Sequence, residues 1–305
     1  MKSSITGLIA APHTAFHADG SLNLAAIPLQ ARLLAQNGVR AAFVCGTTGE
    51  SPSLTVAERK QVVEAWLAAR PAGLAIIVHV GHGSAAEATD LARHAQTHGA
   101  DATAALCPAF FKPSSTTEAI AWCAQVAAGA PRLPFYYYYI PVMNGVGFPV
   151  HDFLAAVGDR IPNLAGIKYT NENLMDFARC AEFAGGKYDL LFGRDEILLA
   201  GLALGARGAV GSTYNFAAPL YLAIIDAFNR GDLAAARRDQ LRAMEFIDVL
   251  SRHGGINAGK SAMKFVGVDC GPVRLPLRAL TADQEAKLRA DLEAVGFFTY
   301  CSKLA

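Results

Sequence analysis

Leu164-Ala165-Gly166-Ile167-Lys168-Tyr169-Thr170 is apolar along most of its length and broken by one lysine. A strand without polar alternation is covered on both faces, as happens in a parallel sheet flanked by helices. Seven further runs of the same character occupy residues 7–11, 41–45, 74–80, 102–107, 133–139, 189–192 and 208–212. They recur at about the 30-residue interval of a strand plus its crossover helix. Between them lie amphipathic segments such as 58–69 and 85–97, where Thr55-x-x-Glu58 and Ser84-x-x-Glu87 fit capping boxes. Eight β-then-α units predict an α/β protein closed into a (β/α)8 TIM barrel.

Three helix-like stretches follow the eighth run, at 219–229, 233–251 and 281–295. The expected organisation is a barrel over 1–218 and a helical extension over 219–305, packed on the barrel and supplying its last helix. With 52% hydrophobic and 17% charged residues, the chain has apolar side chains enough for a large core and a subunit interface. Its 27 basic and 26 acidic residues leave a net charge of +1, which excludes global attraction to nucleic acid or anionic membranes. The six cysteines are scattered, with no C-x-x-C pair, and read as buried free thiols. The first residues lack the apolar stretch of an export signal, and the longest apolar run, at 197–206, is about half a membrane span. A cytoplasmic protein is expected.

Function in a barrel lies where strands end and loops begin. Lys168 stands at such an end, where burial lowers an amine's pKa and frees it to attack a carbonyl. On the preceding strand run, Phe135-Tyr136-Tyr137-Tyr138-Tyr139, alternation puts Tyr136 and Tyr138 on one face, so Tyr138 is placed to meet Lys168 as a proton carrier. After the second run, Gly46-Thr47-Thr48-Gly49-Glu50 offers turn amides and two hydroxyls to a carboxylate. A 2-keto acid carries such a carboxylate beside its carbonyl.

Gly46–Glu50, Tyr138-Tyr139-Ile140-Pro141, Gly166-Ile167-Lys168-Tyr169-Thr170, Phe192-Gly193-Arg194-Asp195-Glu196 and Gly211-Ser212-Thr213-Tyr214-Asn215 together resemble the N-acetylneuraminate lyase family. That family lies within the dihydrodipicolinate synthase superfamily of imine-forming barrels. The resemblance implies a Schiff base at Lys168, proton transfer by Tyr138, and a pyruvoyl carboxylate on Thr47 and Thr48. It further implies a polyhydroxylated tail held by Thr170, the backbone of Gly193, Asp195, Glu196 and Ser212. Reversible cleavage of N-acetylneuraminate to pyruvate and N-acetylmannosamine follows, with no metal or organic cofactor, in a homotetramer. The sequence departs from the superfamily pattern where Phe110 and Phe111 replace a relay tyrosine, and where Met143 stands in place of a synthase arginine. Asn144 stands where such lyases have Ser or Thr, and Arg194 beside the tail acids; either is read as a mark of a different acidic or modified sugar.

The alternatives are another pyruvate-dependent lyase or dehydratase of 2-keto-3-deoxy sugar acids, a dihydrodipicolinate synthase-like condensation, and a sugar-acid sensor. Gly81-His82-Gly83-Ser84 formally matches a dinucleotide fingerprint and reads better as a turn with a capped helix. His79, His82, His94 and His98 invite a metal-dependent aldolase, but no carboxylate-rich cluster accompanies them in the sequence, and they read as surface histidines. Gly205-x-x-Gly208-x-x-Gly211 reads as close backbone packing rather than a phosphate site.

Overall fold

Each apolar run forms a strand because each has two faces to bury, one toward the barrel axis and one toward the surrounding helices. The computed structural model describes residues 5–304. The N-terminal residues 1–4 and the outer bounds 1 and 305 of the expected segments fall outside them. Among the described residues, eight parallel strands close in sequence order: β1 (Gly7–Ala10), β2 (Ala41–Val44), β3 (Ala75–His79), β4 (Ala102–Ala105), β5 (Phe135–Tyr139), β6 (Leu164–Tyr169), β7 (Asp189–Phe192) and β8 (Gly208–Gly211). The fold is a TIM barrel, as its periodicity predicts.

Two apolar layers result. Ile9, Phe43, Ile77, Tyr136, Tyr138, Leu191 and Val210 fill the barrel interior. Tyr137 and Tyr139 point the other way into the layer beneath the helices, where Tyr137 stacks on Phe153 at 4.6 Å. Helices α1 (Ile27–Gln36), α2 (Val56–Ala69), α3 (Ala85–Thr97) and α4 (Thr116–Ala127) follow the first four strands. The short α5 (Pro141–Asn144) and α6 (Val150–Val157) follow β5, then α7 (Leu174–Glu182) and α8 (Leu198–Ala203) follow β6 and β7.

The Thr55–Glu58 capping box that begins α2 is complete. At α3 only half of the expected box forms. Ser84 caps the Glu87 amide, but the Ser84 amide donates to His82 Nδ1 at 3.0 Å, leaving nothing for the Glu87 carboxylate to accept. The glycine-flanked His82 therefore closes a turn.

Beyond β8 come α9 (Tyr214–Asn229), α10 (Leu233–Arg252), α11 (Ile256–Phe265) and α12 (Ala282–Ala294). The expected start at Pro219 falls inside α9. Proline has no N–H for the helical ladder, and the chain meets it with a non-helical turn at Ala217 (φ −135°) instead of ending. α11 went unread because two left-handed glycines, Gly254 and Gly255, precede it and Gly259 interrupts its pattern. Among the described residues, no helix is long and apolar enough to cross a membrane.

Candidate active site

A register shift sets the geometry of the site. Phe135 pairs with Leu164, but Tyr136 pairs with Gly166, so β6 carries one extra residue there. Continuing the first pairing would put inward Tyr138 opposite outward Ile167; the bulge puts it opposite Lys168. Lys168 Nζ lies 3.8 Å from the centroid of the Tyr138 ring and 4.0 Å from that of Phe43. Lys168 is buried, and among the described residues no carboxylate comes within 4 Å of its Nζ. Burial pushes its pKa down to about 7, with the Asp195 carboxylate pulling part-way back. The two rings return about 0.5–2 kcal/mol to the ammonium form, less than the loss of water costs it. Near neutral pH a large fraction is free amine.

The Tyr138 hydroxyl lies 3.2 Å from Thr47 Oγ1. Burial holds the phenol up to about 12, while the Thr47 and Thr170 hydroxyls beside it act in the opposite direction. Phe43 and His79 meet its ring edge-on at 5.5 and 5.8 Å and fix its orientation. His79 corrects the reading of the histidines as a surface set: it lies inside the barrel, held by burial well below its usual pKa. Its Nδ1 donates to the Cys45 carbonyl at 2.8 Å, because a carbonyl can only accept.

That carbonyl begins the Thr47-Thr48 loop. The loop is bounded by two non-glycine residues in the left-handed region, Cys45 (φ 55°) and Glu50 (φ 54°), a conformation that costs of order 1 kcal/mol each and persists only when its surroundings enforce it. His79 holds one end. At the other, buried Glu50 pairs with Lys260 Nζ on α11 at 2.8 Å and accepts the Arg274 amide at 2.9 Å. Thr14 ties the middle by donating to the Gly49 carbonyl at 2.7 Å. Lys260 and Arg274 escaped the sequence reading; the available signal was a lysine set among the small residues Ala258, Gly259 and Ala262.

A cavity of about 280 Å³ opens above Lys168, lined by Thr47, Thr48, Tyr138, Thr170, Gly193, Asp195, Glu196 and Ser212. All nine residues singled out in the sequence thus meet at one mouth, but their polar atoms are differently disposed. The Gly193 amide is spent on the Tyr169 carbonyl at 2.8 Å, so only its own carbonyl faces a ligand. Asp195 Oδ2 accepts from both the amide and the hydroxyl of Thr213, at 3.1 and 2.6 Å. Burial and neighbouring Glu196 push the Asp195 carboxyl up to about 7, so it can donate as well as accept. A Cβ at Gly211 would overlap that carboxylate, so glycine there keeps Asp195 in place. The Thr170 hydroxyl is buried with no partner in hydrogen-bonding geometry.

Arg194 does not stand free as a receptor for an acidic sugar. It bridges Glu172 and Glu196, the latter at 3.0 Å, so its charge is already taken up. Asn144 turns away from the cavity: it donates to the Cys107 carbonyl at 3.1 Å and accepts the Val146 amide at 3.1 Å, binding two loops together. These contacts correct the expectation for Asn144, whereas Arg194 lines the cavity with its charge balanced by the two carboxylates. His13 joins the cavity wall unforeseen, fully buried and without a hydrogen-bond partner among the described residues. Burial and Lys260 hold it neutral, at a pKa of about 3.

The model of the dihydrodipicolinate synthetase family matches residues 4–295. The chain belongs to that family. It is 39% identical over 303 residues to an N-acetylneuraminate lyase of Mus musculus, covering 98% of this chain and 95% of the relative. It is similar in structure to the N-acetylneuraminate lyase of Proteus mirabilis, with TM-score 0.94 and 46% identity over 97% of this chain and 100% of the other. The N-acetylneuraminate lyase (sialic acid aldolase) of Aliivibrio salmonicida gives TM-score 0.94 at 43% identity, covering 97% and 98%. A family member with a buried amine whose pKa is brought down to about 7 beside a phenol is equipped for carbonyl addition and proton transfer at one point.

Proposed function

We propose that this chain is a class I lyase that reversibly cleaves N-acetylneuraminate to pyruvate and N-acetylmannosamine. The observation that carries the reading is Lys168: a buried amine, unpaired by any acid among the described residues, against the Tyr138 ring. It is supported by the full-length similarity to proteins named for this activity.

Lys168 Nζ adds to the C2 carbonyl, and Tyr138 gives a proton to the departing hydroxyl, leaving an iminium and water. The phenolate then takes the C4 hydroxyl proton. The C3–C4 bond breaks, its electron pair neutralises the iminium as an enamine, and N-acetylmannosamine leaves. Protonation at C3 and hydrolysis release pyruvate and restore the amine. The resting phenol is a poor acid, but a positive iminium next to it makes the phenolate affordable at the moment it is needed.

The carboxylate of the substrate rests on the Thr47-Thr48 turn, and the polyol tail runs toward Thr170, the Gly193 carbonyl, Asp195, Glu196 and Ser212. Thr48→Val keeps the volume and removes the hydroxyl. It is expected to raise the KM for pyruvate in the synthetic direction about tenfold with a smaller change in kcat, because a hydrogen bond to a charged group is lost from binding. An unchanged KM would remove Thr48 from the cradle.

The decisive assay incubates purified protein with N-acetylneuraminate and follows both products, beside a panel of 2-keto-3-deoxy sugar acids. Pyruvate appearing faster from any panel member than from N-acetylneuraminate would transfer the assignment to that acid, and no turnover with borohydride-inert Lys168 would favour a sensor. Exposed Met143 offers no cation for a second carboxylate, which weighs against the synthase-like condensation. A cytoplasmic homotetramer completes the proposal. Phe110 and Phe111 on the loop after β4, and Val142 and Met143 on α5, stand exposed, an apolar rim suited to covering by another copy.

A further inference from the structure

The outer face of the barrel carries a group of donors that the reaction does not use. Glu64 on α2 lies against His94 and His98 at the end of α3. His94 Nε2 is 2.8 Å from Glu64 Oε1, and His98 Nε2 is 3.9 Å from the same oxygen. One ligand atom from each of the three residues falls within 4.8 Å of the others. A tetrahedral cation with bonds of about 2.0–2.2 Å holds its ligands roughly 3.3 Å apart, so small side-chain rotations suffice to close around one.

The orientation of the rings supports this. His98 Nδ1 donates to the His94 carbonyl at 2.9 Å, an acceptor-only group, so a proton sits on Nδ1 and Nε2 is the nitrogen turned toward Glu64. A fixed proton on the far nitrogen is the arrangement that orients an imidazole for a metal. The two rings lie together, with centroids 4.0 Å apart, and present their outer nitrogens side by side. The carboxylate comes from the neighbouring helix, which is why the histidine spacing alone gave no metal pattern.

We propose that Glu64, His94 and His98 bind a divalent transition cation of the Zn2+ class, which staples α2 to α3. Two imidazoles and one carboxylate suit Zn2+, Ni2+ or Cu2+, whereas Mg2+ and Ca2+ demand more oxygens. The Glu64 and His98 side chains are 49% and 41% exposed, so water completes the coordination and the ion exchanges with the medium. The barrel helices run back from the catalytic mouth, and the C-terminal turn of α3 lies at the opposite end. This site is therefore independent of the chemistry at Lys168.

Zinc chloride titrated into the full chain should bind one ion per chain by calorimetry and, well above its dissociation constant, raise Tm by roughly 5 °C. MgCl2 should leave Tm unchanged. Cobalt(II) as a spectroscopic probe should give d–d bands with no thiolate charge-transfer band. His98→Ala and Glu64→Gln lie at exposed positions; each should keep the apo Tm and circular dichroism while losing the zinc-dependent rise. The proposal is overturned by a thiolate band, by an equal response to magnesium, by zinc binding that survives His98→Ala, or by the absence of zinc binding to the unaltered chain.

Discussion

Lys168→Ala is expected to lower turnover by about 10⁴-fold or more, because it removes the covalent intermediate rather than weakening a contact. The same change should abolish the permanent mass increase that pyruvate and borohydride leave on the unaltered protein. A trapped adduct on the alanine variant, or none on the original, would defeat the assignment. The pH profile supplies a second reading. The attacking form is the neutral amine, and burial brings its pKa down to about 7. The rate of imine formation should therefore fall about tenfold per unit as pH drops below 7, and level off above it. A lysine at its ordinary value would instead keep rising through pH 10. The decisive quantity is competition between desolvation, which favours the free amine, and Asp195, which favours the ammonium. Asp195 itself is pushed up to about 7 and shares its Oδ2 with Thr213, so its pull is weakened where a fully ionised carboxylate would have restored the charge.

The barrel was legible because its strands are buried on both faces, which writes an uninterrupted apolar run into the chain every time the fold needs one. Lys168 was legible as the exception within such a run, and Tyr138 by two-residue alternation along β5. What linear order could not show is what lies opposite. The one-residue bulge at Ala165-Gly166 decides that Tyr138 faces Lys168, and nothing in either strand alone announces it. His79 read as a surface histidine because its partner, the Cys45 carbonyl, belongs to another strand's end. Lys260 braces the Thr47-Thr48 loop from α11, more than 200 residues away in the chain. Arg194 and Asn144 stood at positions that invited a role in substrate choice, but side chains that reach a neighbour's carboxylate or carbonyl are recognisable only once the loops are folded. Glu64 and His94 illustrate the same limit on the outer surface.

Tyr138→Phe should reduce kcat by about 10²–10⁴-fold while leaving KM within a few-fold of its original value, since the phenyl ring still packs on Phe43 and His79. The hydroxyl has a single internal contact of good geometry, Thr47 Oγ1 at 3.2 Å, and that contact carries the argument one step further. With no hydroxyl at Phe110 or Phe111, and both of those rings exposed, the route from Tyr138 to solvent runs through Thr47, water or the carboxylate of the substrate. Removing the phenol alone should therefore slow cleavage far more than imine formation, because water can protonate the hydroxide that leaves the carbinolamine but is too weak a base to take the C4 hydroxyl proton as the bond breaks. Rapid-quench borohydride trapping separates the two: the phenylalanine variant should still accumulate the Lys168 adduct with pyruvate while releasing little N-acetylmannosamine. Equal loss of adduct and of turnover would place Tyr138 in shaping the pocket for Lys168 rather than in moving the proton.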